Sequence, residues 1–94
     1  MQLQDAITQL DSFDRDAHIF ACPERPLHAA STVVVGHFTE DDELPQEAKG
    51  LREFLDVWHA KEMLVGKARL MKIEEPLTPE QRIKLFLSVV ANDA

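Results

Sequence analysis

The chain has 94 residues, 45% of them hydrophobic, a formal net charge of −7 and one cysteine. A chain of this length makes a single domain over residues 1–94 that buries roughly 60–65% of its unfolded surface, which leaves little room for a deep internal site. Wholesale disorder is excluded by composition and an internal disulfide framework by the lone Cys22, while the acidity disfavours nucleic acid and anionic membranes, whose phosphates attract clustered Lys and Arg.

Leu3, Ile7, Leu10 and Phe13 recur at helical spacing and predict an amphipathic helix over 2–13, closed by the polar Asp14-Arg15-Asp16. The N-terminus has neither a basic segment nor an apolar run, so no signal peptide is expected. Residues 18–22 read as a short buried strand, and Pro23 to Pro26 as a loop that neither a helix nor a ladder can continue through. Residues 31–38, with Val33-Val34-Val35 at their centre, are the strongest strand, and Gly36 within them suggests a bulge or a close backbone approach.

Pro45 and Gly50 bracket one short helical turn, as its first position and its C-terminal cap. Residues 51–57 fit two patterns. Leu51, Glu53, Leu55 and Val57 alternate as in a strand, whereas Leu51, Phe54, Leu55 and Trp58 suit a helix face. The strand is preferred, because Gly50 breaks the preceding turn and Asp56 can cap the next helix. That helix, over 57–72, then buries Val57, Ala60, Leu64, Ala68 and Met71, with Lys61, Lys67, Arg69 and Lys72 mostly toward its C-terminal end, where the helix dipole favours cations. Thr78-Pro79-Glu80-Gln81 starts the last helix as a capping box, and Ile83, Phe86, Leu87 and Val90 form its buried stripe, widened by Leu85 and Val89. The expected fold is α+β, a small antiparallel sheet of two or three strands with three main helices packed on it.

Charge is divided unevenly along this chain. Residues 1–48 hold ten acids and only Arg15 and Arg25 as bases, whereas residues 49–94 hold seven acids and eight bases. Five acids (Glu40, Asp41, Asp42, Glu43 and Glu47) fall within eight residues that contain no base. A persistent negative face of this kind attracts a basic protein and speeds the encounter. Phe38 and Trp58 are the aromatic candidates to anchor such a contact.

Other chemistry finds little support in the spacing. His18, Cys22, His28 and His37 lack the tight ligand pair typical of zinc sites, and Cys22 sits among acids that disfavour a thiolate. Residues 11–16 lack the glycine and distal acid of a calcium loop, and the three glycines are too scattered to cradle a phosphate. No cofactor and no metal is expected. A small enzyme would have to use His18, Cys22 and His37.

The run Asp42-Glu-Leu-Pro-Gln-Glu-Ala-Lys-Gly-Leu51, then Phe54-Leu-Asp-Val57, a helix, and Thr78-Pro-Glu through to Asn92-Asp93-Ala94 resembles small acidic bacterial proteins of the toxin–immunity type. The resemblance covers about the C-terminal 55 residues and carries over no catalytic residue. The paired tyrosines of four-helix colicin immunity proteins have no counterpart here, since the chain has no Tyr. It implies a cytoplasmic, non-enzymatic inhibitor that binds a cognate toxin, often a basic nuclease. A regulatory or scaffold subunit is the alternative expectation, and it should display an extended apolar patch.

Overall fold

The β-branched and apolar segments pair into one sheet in the computed structural model, which describes residues 1–22, 27–74 and 76–92. The expected loop from Pro23 to Pro26 lies outside the described residues, as do Asp93 and Ala94. Strands β1 (His18–Ala21), β2 (Val33–Gly36) and β3 (Arg52–Asp56) form an antiparallel sheet in the order β2-β1-β3. The helices are α1 (Leu3–Thr8), α2 (Val57–Leu70) and α3 (Pro79–Asn92). The class is α+β. Its helical layer holds two long helices and one of six residues, where the sequence suggested three of comparable weight.

The first helix is short for a tertiary reason. Arg82 of α3 donates from Nη1 to the carbonyls of Ile7 (3.4 Å) and Thr8 (3.5 Å), groups that a longer helix would pair internally. The chain tightens instead into a 3₁₀ turn over Leu10–Ser12, which still delivers Leu10 to the core. The second strand is four residues long rather than eight, because a ladder extends only as far as its partner. His18, the first residue of β1, pairs with Gly36, and beyond that point Phe38 is free to turn across the sheet.

A bulge is present, though not at Gly36. Ile19 pairs with Leu55 and Phe20 with Glu53, which leaves Phe54 as the extra residue in β3. The slip lets Phe54 and Leu55 both pack against the main core, Phe54 with its ring 5.9 Å from that of Phe86. Two adjacent apolar residues facing the same way is the pattern that made this segment read equally well as helix.

Strand alternation gives the sheet two faces. Ile19, Ala21 and Val33 lie on the helical side, fully buried with Leu3, Ile7 and Leu10, with Val57, Ala60, Leu64 and Ala68 of α2, and with Leu85 and Phe86 of α3. Met71 is not part of that stripe; it is 54% exposed. Asp56 caps α2 through His59 N–H (2.7 Å), and the capping box of α3 forms in both directions between Thr78 and Gln81.

On the other face Phe20 is fully buried outside the main core cluster. It is covered by the segment after β2. Phe38 packs edge-on against Phe20 with centroids 5.3 Å apart, Pro45 approaches Gly36, and the 3₁₀ turn Gln46–Ala48 lies along β2 with Ala48 fully buried. Pro45 immediately precedes that turn and gives its carbonyl to the Ala48 N–H. Gly50 (φ 85°) does not cap it but is the third residue of a type II turn closed by Leu51 N–H to Ala48 O, a position that requires positive φ. Residues 37–51 thus form a strap over the second face of the sheet.

Candidate functional site

The acids of residues 40–43 are presented on a closed turn at the head of the strap. Thr39 organises it: its carbonyl accepts from Asp42 N–H (2.9 Å), its hydroxyl from Glu43 N–H (3.1 Å), and its own N–H donates to Glu43 O (2.9 Å). Asp42 takes φ 60°, a left-handed conformation that Asp tolerates better than most residues. Glu40, Asp41, Asp42, Glu43 and Glu47 are all exposed. Among the described residues none of the five enters an ion pair. The turn hydrogen bonds fix the backbone that carries residues 40–43, while their carboxylates stay open to solvent.

The two aromatic candidates have different positions. Phe38 is half-buried and braces the strap, stacked edge-on against His18 (4.8 Å) as well as Phe20. Trp58 is 42% exposed and held from several sides. Its backbone N–H donates to Arg15 O (3.2 Å), the Arg15 guanidinium lies 5.9 Å from its ring centroid, and His59 packs edge-on at 5.0 Å. The turn over residues 14–17 connects this tryptophan to the strap, because Asp14 Oδ2 sits 3.4 Å from His37 Nε2, next to Phe38. Asp14, Arg15 and His37 therefore join the acidic turn and Trp58 in the candidate surface. Arg15 was the available clue, as one of only two bases in the acidic half.

The remaining candidates disperse. His18 Nδ1 meets Glu53 Oε1 at 2.7 Å on the strap face, and His37 meets Asp14. His28 Nδ1 accepts the Ala30 N–H, and His28 shares a surface depression of about 400 Å³ with Cys22, Leu27 and Ser31. No group of three or more His, Cys, Asp or Glu that could hold a metal occurs among the described residues. Asp11 pairs with Arg82 (3.0 Å) and Lys61 (3.8 Å), whereas Asp14 meets His37 (3.4 Å), so these two acids of residues 11–16 are taken up by different partners. No described helix is long and apolar enough to cross a membrane.

Comparison with family models, with curated proteins and with solved structures gives no match to this chain.

Proposed function

We propose that this protein is a small, acidic, cytoplasmic binding module of the immunity type, which neutralises a basic, nuclease-type toxin by covering its cationic site. The observation that carries this reading is the pairing of a hydrogen-bonded acidic turn, its charges unmatched by described cations, with an exposed Trp58 flanked by Arg15 and His59 and linked to the strap through the Asp14–His37 contact. Preorganisation matters because each side chain or loop ordered only on binding subtracts from affinity. The acids supply steering and register, and Trp58 supplies the desolvated anchor.

The test is co-expression and capture with the product of the adjacent gene. Asp41→Lys with Glu43→Lys should slow association and flatten its salt dependence. Trp58→Ala should speed dissociation, with a loss of about 2 kcal/mol or more if the residue is a hot spot. Binding that ignores both changes would end the proposal.

A non-catalytic regulatory subunit is the second reading, supported by the apolar surface at Leu70 and Met71.

A further inference from the structure

The buried stripe of α2 does not stop where its cover does. Val57, Ala60, Leu64 and Ala68 are buried, and Met71, the next residue in that register, lies in the open. It forms one wall of a groove of about 330 Å³ with Ile73, Gln81, Lys84, Leu85 and Ser88. Beside it Leu70 is 81% exposed, the most exposed of the large hydrophobic residues. Lys84 lines this groove, Lys67, Arg69 and Lys72 stand at the end of α2 beside it, and Glu74 and Glu80 flank it as well. None of the four cations enters an ion pair among the described residues.

The backbone adds a second observation. Helix α2 ends in a Schellman motif, with Ile73 N–H bonded to Ala68 O (2.9 Å) and Lys72 N–H to Arg69 O (3.2 Å). Lys72 occupies the position that glycine usually fills, at φ 55°. A lysine there is conformationally less favourable than glycine, and it places a further cation at the end of α2.

The acidic turn of the strap has complementary chemistry. Leu44, 37% exposed, comes directly after Glu40-Asp41-Asp42-Glu43 and precedes Glu47. The strap covers one face of the sheet, whereas α2 and α3 cover the other, so the two surfaces of one molecule cannot meet. We infer that they meet between copies: the groove at the end of α2 receives the acidic turn and Leu44 of a second copy of this chain. The contact is head-to-tail, so each copy keeps one free surface of each kind and the assembly extends as open oligomers unless it closes into a ring. Because each copy carries a net charge of −7, the contact is strongest at intermediate ionic strength, where whole-molecule repulsion is screened over about 8–10 Å. This inference does not depend on the toxin reading.

Sedimentation velocity of the full chain over a wide concentration range, at about 0.1 M salt, is the test. The wild type should show a concentration-dependent rise in sedimentation coefficient. Lys67→Gln with Lys84→Gln neutralises two cations at the groove, and Asp41→Asn with Glu43→Gln neutralises two acids of the turn, without creating a new complementary pair. Each double variant should weaken association about tenfold or more. An equimolar mixture should form dimers and stop there, since one intact surface of each kind remains. Lys72→Gly separates structure from contact: its Tm should rise while association weakens. Circular dichroism of each variant establishes folding, and for any that fails to fold, NMR shifts of the wild type on concentration give the answer instead, at Leu44 and Met71 together.

A wild type that stays monomeric at every concentration overturns the inference. So does association that survives loss of the acidic turn, which would mean a groove-to-groove dimer.

Discussion

The two faces of the sheet are closed by different means. On one, three helical segments press a broad set of aliphatic side chains around Phe86, with Ile19, Ala21 and Val33 beneath. On the other, a strap without long regular structure covers a single phenylalanine, Phe20, with Phe38 resting on it. The helical face is redundant, because many side chains share its burial. The strap face concentrates its hold in a few contacts and a handful of turn hydrogen bonds. The acidic part of the candidate binding surface is built on the second, so its geometry is more sensitive to single changes than the fold is, whereas Trp58 stands on α2.

Substitution of Phe86 by Ala should have the largest effect, about 3–5 kcal/mol, since the ring is fully buried in the main core. Against a total stability of about 5–15 kcal/mol, this loss should appear in urea unfolding as a sharply lowered midpoint for the whole domain. Phe38→Ala should cost less, about 1–3 kcal/mol, and act locally. Hydrogen exchange at Asp42 and Glu43, whose amides bond to Thr39, should accelerate well beyond exchange at Ile19 and Val33. Equal acceleration everywhere would show that the strap and the core open as one unit and would break the comparison.

Asp56 sits where the two faces join, pairing opposite His18 and capping α2. Asp56→Ala should cost about 1 kcal/mol and Asp56→Asn little, measured by the same unfolding assay, because either side chain can accept the His59 N–H. The smallest effects come from the same substitution made on each side. Gly66 lies within α2, where an added Cβ meets nothing within 4 Å, so Gly66→Ala should stabilise by about 0.5–1 kcal/mol. Gly50 is held at φ 85°, so Gly50→Ala should destabilise by about 1 kcal/mol. Opposite shifts in Tm would show that the strap is held by backbone conformation and the helical layer by packing and propensity.

Much of the helical layer could be read in advance. The capping box at Thr78, the cap at Asp56 and the α2 stripe from Val57 to Ala68 are local or periodic signals, and each appears in the structure. The features that failed to read were set by partners distant in sequence. Helix α1 stops at Thr8 because Arg82 takes its carbonyls, Met71 leaves the stripe because the fold ends beneath it, and the bulge falls at Phe54 because β1 fixes the register. The candidate site divides in the same way. The acidic residues and Trp58 stood out by composition, whereas Asp14, Arg15 and His37 joined them only through contacts between a turn, a strand end and a helix start.

By itself, then, the sequence determined the α+β class, the sheet's central segments, the helix caps and the confinement of excess negative charge to the first half, because propensity, periodicity and charge are properties of neighbouring residues. Only the tertiary structure decided that residues 37–51 lie across the sheet as a strap rather than hang from its edge. Covering Phe20 requires burying it against Phe38, eighteen positions away, and no local pattern records a contact made at that separation.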